Sequence, residues 1–189
     1  MPEHRARTDA PAETRPRVGV SLCLLGERVR HDGGHKLHAV VAAGLGCDVE
    51  WLPVCPEVEI GLGTPREPIR LERGRGRQLR LVGIETRTDL TRRMRRYAAR
   101  RVRALPVDTL DGYVFKRGSP SCGLQDVPVV DSARLPEGSG RGRGLFAKAV
   151  VQAAPDLPVI DEAGLDDPHR RRQFVERVLV RARLRALTG

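Results

Sequence analysis

The sequence has few aromatic residues, few lysines and no long apolar run. Aromatic residues make up 3% of the 189 residues (three Phe, two Tyr and one Trp), so a buried core must come from Val, Leu, Ile and Ala. No segment approaches the roughly 18 apolar residues that a membrane-spanning helix requires. The polar N-terminus also lacks the apolar stretch of a secretory signal peptide. These absences predict a cytoplasmic protein.

Cysteine is scarce as well. The chain has four cysteines, a density far below that of a small disulfide-stabilised scaffold. Thiols stay reduced in the cytoplasm, so these cysteines are free to bind a metal or to take part in chemistry.

Positive charge, in contrast, is abundant. Lys and Arg total 34 against 24 Asp and Glu, which gives a formal net charge of +10, and only three of the 34 are Lys (Lys36, Lys116 and Lys148). Such a surface attracts anions. Because a GC-rich genome also produces many arginines, composition alone does not separate a nucleic-acid binder from an enzyme for phosphorylated substrates.

The order of apolar segments predicts an α/β fold. We expect residues 1–16 to be a disordered tail and residues 17–189 to form a single layered domain with a mostly parallel, Rossmann-like sheet, because strands alternate with helices. Residues 56–76, rich in Gly, Pro and Arg, are predicted to be a long loop. The predicted strands are residues 18–22, 49–54, 78–82, 112–116, 127–130 and 157–160, and the predicted helices are 36–43, 89–105, 145–154 and 168–187.

Three of the four cysteines follow predicted strands. Cys23 and Cys55 come directly after apolar strands, and Cys122 comes a few residues after another. The carboxyl ends of parallel strands share one edge of the sheet, where α/β proteins bind ligands, so these three cysteines should converge. Cys47 precedes its strand and should lie at the opposite edge.

Three converging thiols allow several interpretations. Soft sulfur ligands suit an iron–sulfur cluster, in which three cysteines would leave one iron without a protein ligand, or they suit zinc. Structural zinc sites normally use closely spaced ligand pairs, and the chain has none. Each cysteine could also be a small buried apolar residue.

Four motifs around these cysteines resemble the thiouracil desulfidase (TudS-like) family over roughly residues 17–180. The first is Ser21-Leu22-Cys23-Leu24-Leu25-Gly26 followed by residues 30–36, and the second is Pro53-Val54-Cys55-Pro56-Glu57-Val58-Glu59-Ile60-Gly61-Leu62-Gly63 followed by Pro65-Arg66. The third is Lys116 with Ser119-Pro120-Ser121-Cys122-Gly123, and the fourth is Gly142-Arg143-Gly144-Leu145-Phe146.

The resemblance implies a [4Fe-4S] cluster held by Cys23, Cys55 and Cys122. The fourth iron would take sulfur from a thiocarbonyl carbon while water supplies the oxygen, without net redox change. By similarity, Glu57 and Ser119 are the expected catalytic pair: Glu57 is the general acid–base, and Ser119 can hydrogen-bond the substrate or a reacting oxygen. Glu57 could instead cap the turn after Pro56, and Ser119 could only shape the turn before Cys122.

Further residues are candidates for binding the substrate. Asp32, Lys116 and Ser121 lie in or near the motifs, although Asp32 could be structural and Lys116 merely solvated. The Gly138–Gly144 run precedes a predicted helix, whose N–H groups would favour a phosphate, and Arg141 and Arg143 would add charge-assisted contacts. A loop without a ligand is the alternative for this run.

The first hypothesis is therefore an iron–sulfur-dependent desulfidase that converts a thiouracil base, nucleoside or nucleotide such as 4-thio-UMP to the oxo form and releases sulfide. The second is an RNA-binding module, or one that acts on the thiouridine of thiolated tRNA, which depends on the +10 charge and the arginine-rich helices 89–105 and 168–187. The third is a zinc protein.

Overall fold

The most apolar segments lie at the centre of a four-stranded parallel sheet. A computed structural model describes residues 15–74, 78–104, 109–131 and 140–188. The strands β1 (Arg17–Ser21), β2 (Glu50–Val54), β5 (Gly112–Phe115) and β8 (Val159–Asp161) form the first sheet. Its order is β2-β1-β5-β8 and every pair in it is parallel. The edge position of β2 explains why Pro53 is tolerated in a strand.

A second, mixed sheet contains two strands that the sequence did not predict, at residues 69–73 and 140–142. Its order is β4-β3-β6-β7, built from β3 (Ile69–Arg73), β4 (Leu79–Gly83), β6 (Val127–Asp131) and β7 (Gly140–Gly142). β3 pairs in parallel with β6, whereas the β3–β4 and β6–β7 pairs are antiparallel. The prediction of a long loop over residues 56–76 is therefore wrong, because this stretch contains a short helix and β3.

Six helices accompany the two sheets in the described residues. Asp89 accepts the backbone N–H of Thr91 at 2.9 Å, as expected for a residue that caps the helix after β4. The first helix is four residues long, shorter than the predicted 36–43. The helices are α1 (Ala39–Ala42), α2 (Pro56–Glu59), α3 (Thr91–Ala104), α4 (Leu145–Ala153), α5 (Glu162–Asp166) and α6 (Pro168–Thr188).

Alternation along the central strands divides the core into two clusters. In β5, Tyr113 and Phe115 belong to a cluster that also contains buried residues of α3, α4 and the second sheet. Val114 belongs to the other cluster, with Val18, Val20 and residues of α6. Gly19 of β1 leaves the space that the Tyr113 ring occupies, since a Cβ there would lie 2.2 Å from that ring. Four of the six aromatic residues line the first cluster (Tyr97, Tyr113, Phe115 and Phe146).

The expected α/β fold with a parallel sheet is confirmed, and the Rossmann likeness is approximate because the second sheet contains antiparallel pairs. Residues 1–14 of the predicted tail, Leu105 at the predicted end of α3 and residues 137–139 of the glycine-rich run lie outside the described residues. The extents of the tail and of the domain stay predictions. Among the described residues, no helix combines the length and apolar composition needed to cross a bilayer.

Candidate functional site

Cys23, Cys55 and Cys122 line a single cavity of about 340 Å³. The cavity lies where β1, β2 and β5, three neighbouring strands of the parallel sheet, end. Cys23 and Cys122 are buried and Cys55 is half-buried, and all three are free thiols. The predicted convergence of the three cysteines is thus what the fold produces. Cys47, half-buried ahead of β2, is not among the residues that line this cavity.

Each cysteine lies in or beside a short turn after its strand, close to the strand end for Cys23 and Cys55 and a few residues later for Cys122. Cys23 lies in a 3-10 turn (Leu22–Leu25), and its carbonyl accepts the N–H of Lys36 at 2.9 Å. Cys55 is the residue that precedes α2. The backbone N–H of Cys122 donates to the hydroxyl of Ser119 at 3.0 Å. Hydrogen bonds to the main chain of Cys23 and Cys122 thus help to place two of the sulfur atoms.

Burial keeps the free thiols protonated. It raises the pKa of Cys23 to about 11, partly offset by the nearby Lys116, and it also raises the pKa of Cys55. The pKa of Cys122 lies well above its usual value because of burial and the negative charge of Glu57. A metal that binds these cysteines must displace their protons.

The shared cavity suits an iron–sulfur cluster better than a single metal ion. Within the described ranges, no three His, Cys, Asp or Glu side chains lie close enough to ligate one metal ion. A mononuclear zinc site needs such a group. In an iron–sulfur cluster each thiolate binds a different iron atom, so the cysteines surround a larger space. A shared cavity lined by three soft ligands fits that arrangement.

Glu57 faces the same cavity and is held from two sides. Its Oε2 accepts Nη2 of Arg66 at 2.7 Å and Nε at 3.1 Å, and its Oε1 accepts the hydroxyl of Ser119 at 3.3 Å. Both partners of the ion pair are largely buried, with side chains 6% (Arg66) and 13% (Glu57) exposed. Arg66 also donates to the carbonyls of Val29 and Gly63. The structure thus brings both predicted catalytic residues, Glu57 and Ser119, into contact.

Ser119 has two kinds of partner. Its oxygen accepts the backbone N–H groups of Ser121 at 3.2 Å and Cys122 at 3.0 Å, which shapes the turn before Cys122. Its hydroxyl proton points to Glu57. Turn shaping and contact with the candidate acid–base are therefore combined in one side chain, whereas a contact of Ser119 with the substrate stays a prediction.

Lys116 lines the cavity, but its charge is already paired. Its ammonium group contacts the carboxylate of Glu162 and donates to the carbonyl of Arg117 at 2.7 Å. The backbone N–H of Lys116 donates to the hydroxyl of Ser21 at 2.9 Å. Arg117 is exposed at the cavity, and its guanidinium has no ion-pair partner in the described part of the chain. Arg117 is thus a better placed cation for an incoming anion than Lys116.

Asp32 and Ser121 are not among the residues that line the cavity. Asp32 accepts Nη2 of Arg30 at 3.1 Å and the N–H of Gly34 at 3.0 Å, and these bonds hold its pKa well below the usual range. Ser121 is fully buried, and its hydroxyl lacks a hydrogen-bond partner in the described structure. A substrate contact for either residue stays a prediction.

The fourth motif (Gly142–Phe146) donates hydrogen bonds to the main chain of the third motif, which carries Cys122. The N–H of Gly144 donates to the carbonyl of Gly123 at 2.8 Å, and a Cβ at Gly144 would lie 2.4 Å from the carbonyl oxygen of Ser121. The first N–H groups of α4 donate to the carbonyls of Pro120 and Ser121. The expectation that this helix end is free to bind a phosphate is therefore wrong, because its donors hold the loop that carries Cys122.

Arg141 and Arg143 follow the same pattern. Arg141 donates to the carbonyl of Asp126 at 3.1 Å and Arg143 to the carbonyl of Leu124 at 2.7 Å. Neither is among the residues that line the cavity. Their assignment to the substrate stays a prediction, and the observed contacts give them a role in fixing the loop after Cys122.

Three residues that position the site received no role from the sequence. Arg66 holds Glu57, Glu162 neutralises Lys116, and Ser21 lies at the end of β1 between Lys116 and Cys122. Arg66 and Ser21 belong to the quoted motifs, so the motif boundaries were a usable signal. Glu162, in contrast, is distant in sequence, and nothing near it marks it as a partner of Lys116.

The arginine-rich face of α3 lines a separate open groove of about 1150 Å³. Five arginines of this helix line it, and none has an ion-pair partner within the described residues; they are Arg92, Arg93, Arg96, Arg100 and Arg103. Glu59, at the end of α2, also lines the groove. The helix that carries Glu57 thus separates the cavity from a strongly basic surface.

Comparison with known proteins gives a consistent result. No curated protein sequence matches the chain significantly. A solved structure titled [4Fe-4S]-dependent thiouracil desulfidase TudS superposes with a TM-score of 0.61 and 29% sequence identity, covering 80% of this chain and 94% of that one. A profile of the family described as 2-thiouracil desulfurase matches residues 18–162, which include all three cavity cysteines, Glu57 and Ser119. The chain therefore belongs to the 2-thiouracil desulfurase family.

Proposed function

We propose that this protein removes sulfur from a thiouracil-type base, nucleoside or nucleotide by non-redox hydrolysis and releases sulfide. The observation that carries the proposal is the single cavity lined by Cys23, Cys55, Cys122 and Glu57 in a chain of this family. The net reaction replaces C=S by C=O, with one water consumed and one hydrogen sulfide released. The four free thiols suit a reducing compartment such as the cytoplasm.

Cys23, Cys55 and Cys122 would hold a [4Fe-4S] cluster. Their soft donor set and their shared cavity fit such a group, and the related solved structure is named for its dependence on one. When bound through three cysteines, the cluster supplies one iron that is free to act as a soft Lewis acid toward sulfur.

Glu57 is the proposed general acid–base. The Arg66 guanidinium holds one of its oxygens, while the other faces Ser119, so the carboxylate has a fixed orientation toward the cavity. In that position it can take a proton from the attacking water and deliver one to the substrate. Ser119 orients Glu57 through the single hydroxyl proton that it donates to Oε1.

The basic residues at the cavity are proposed to bind a phosphate group of the substrate. Arg30, His31 and Arg117 line the cavity, and Arg117 is exposed there without an ion-pair partner in the described residues. A nucleotide such as 4-thio-UMP would gain a charge-assisted contact that a free base lacks.

The direct test is anaerobic reconstitution followed by assay of sulfide release from 2-thiouracil, 4-thiouridine monophosphate and thiolated tRNA. We expect a brown protein with iron and labile sulfide that releases sulfide fastest from the nucleotide. Cys23→Ala, Cys55→Ala and Cys122→Ala should each abolish turnover, whereas Cys47→Ala, which alters the cysteine outside the cavity, should not. A colourless protein without iron would contradict the proposal.

RNA binding is a second candidate function, and the α3 groove is the observation that favours it. Five arginines without carboxylate partners in the described residues repel one another along one helix, which costs stability unless a polyanion neutralises them. The triple variant Arg92→Gln/Arg96→Gln/Arg100→Gln should weaken binding of unmodified tRNA and lower the slope of log affinity against log salt by about 2. A matched triple variant in α6, Arg172→Gln/Arg177→Gln/Arg183→Gln, should retain the affinity. Equal losses in both would reduce this function to non-specific charge.

A further inference from the structure

Glu59 holds the main chain of Cys55 at both of its polar groups. The backbone N–H of Glu59 donates to the carbonyl of Cys55 at 2.9 Å, and its carboxylate Oε1 accepts the backbone N–H of Cys55 at 3.2 Å. The second bond resembles a capping box moved one residue along the helix, since Cys55 has no side-chain cap of its own. These two bonds fix the backbone of a cavity cysteine without involving its sulfur.

Two side chains of α3 face the same carboxylate. Nε of Arg101 lies 3.4 Å from Oε2 of Glu59. Burial and the neighbouring Glu59 raise the pKa of the Tyr97 phenol far above its usual value. The Tyr97 hydroxyl and Nε of Arg101 are buried atoms without an aligned hydrogen bond in the described structure. Buried polar atoms require a partner, and Glu59 is the carboxylate close to both.

Glu57 and Glu59 lie on opposite sides of α2. Glu57 lines the cavity, whereas Glu59 lines the groove of α3. Two residues along a helix correspond to a rotation of about 200°, which accounts for the separation. Glu59 therefore does not touch a molecule in the cavity, and any effect on chemistry there must pass through Cys55.

We propose that Glu59 is a positioning residue that fixes Cys55 as a cluster ligand and, together with Arg101, sets the local charge at that ligand. The proposal rests on the proposed function, in which Cys55 holds the cluster. It has two consequences. Loss of the Glu59 carboxylate should loosen the ligand, and the opposite charges of Glu59 and Arg101 should shift the reduction potential in opposite directions, because nearby charge tunes such clusters.

Four variants measure both consequences in the reconstituted protein. Glu59→Gln keeps an oxygen for the Cys55 N–H but removes the negative charge, so the midpoint potential should rise. Arg101→Gln removes the opposing positive charge, so the potential should fall. Arg100→Gln, a change at the neighbouring arginine that has no carboxylate partner in the described residues, is the matched control and should leave the potential at the wild-type value. A fourth variant, Glu59→Ala, removes the oxygen as well and should lose iron in air several-fold faster than Glu59→Gln.

The signs of the potential shifts decide the outcome even if Glu59→Ala fails to fold. Shifts of the same sign for Glu59→Gln and Arg101→Gln, no shift in either, or an equal shift in Arg100→Gln would overturn the positioning role while leaving the desulfidase function intact. A wild-type protein that takes up no cluster would overturn the proposed function and this inference together. Those two failures are therefore distinguishable in a single preparation.

Discussion

Glu57 and Glu72, two of the largely buried carboxylates that arginine holds in the described residues, differ in what they face. Glu57 pairs with Arg66 beside the cavity, and Glu72 of β3 pairs with Arg70 and Arg87 in the second sheet. The side chain of Glu72 is only 1% exposed, and its Oε1 and Oε2 accept the two Nη atoms of Arg87 at 2.6 and 2.9 Å.

The difference lies in which partner is buried. At the cavity, the Arg66 side chain is only 6% exposed, so both members of the ion pair are shielded from water. In the second sheet, the side chains of Arg70 and Arg87 are 35% and 52% exposed, so the two arginines that pair with Glu72 remain hydrated. Glu57 also has an oxygen turned to a hydroxyl at the cavity wall, in Ser119. Pairing with arginine alone therefore does not indicate a functional carboxylate. Glu57 differs from Glu72 because Glu57 lines the cavity.

The largest expected effect is the loss of turnover in Glu57→Gln. The amide keeps the size of the side chain and an oxygen for Arg66 but cannot take a proton, so turnover should fall about 10²–10⁴-fold, the usual contribution of a general acid–base. Iron content should stay at the wild-type level. Glu72→Gln is the control, since it removes the same charge away from the cavity and should leave turnover nearly unchanged. Glu57→Gln with more than a tenth of wild-type activity would contradict the assignment.

The sequence predicted the cysteines that line the cavity, but it did not predict the arginine–carboxylate ion pairs. Strand ends placed Cys23, Cys55 and Cys122 at one edge because apolar runs mark parallel strands clearly. β3 was missed because three of the five residues in its sequence, Ile-Arg-Leu-Glu-Arg, are charged. One of them, Glu72, is nevertheless buried because Arg87 and Arg70 pair with it. Such pairs join distant segments, and no local pattern signals them.

The supposed phosphate site shows the same limit. A glycine-rich run before a helix predicted free N–H donors, and the helix was found where expected. The carbonyls that occupy those donors belong to Pro120 and Ser121, about 25 residues earlier in the chain. The local sequence pattern therefore predicts the helix, whereas the groups that accept hydrogen bonds from its first N–H groups depend on the tertiary fold.

An intermediate effect is expected on stability at the second pair. Glu72→Gln replaces charge-assisted hydrogen bonds by neutral ones, so the free energy of unfolding should fall by about 1–3 kcal/mol. Arg87→Gln should cost less, because Arg87 is half exposed and Arg70 still contacts the carboxylate. Denaturant unfolding of the three proteins measures the order. A larger loss in Arg87→Gln than in Glu72→Gln would show that solvation of the arginine does not account for the difference.

The smallest expected effect is on the pH dependence of that stability. The hydrogen bonds from Arg87, followed by those from Arg70, hold the pKa of Glu72 below its usual value of about 4.3. A carboxylate with a lowered folded-state pKa stabilises the protein above the unfolded-state pKa, and this contribution disappears as the pH falls through the folded-state pKa. Glu72→Gln has no such proton to bind, so the stability gap between wild type and variant should narrow as the pH falls from about 7 to about 3. Other carboxylates with lowered pKa, such as Asp89, are common to both proteins and cancel in the difference. A gap that stays constant over this range would mean that Arg87 and Arg70 stabilise Glu72 by packing alone, and the contrast with Glu57 would then concern shape rather than charge.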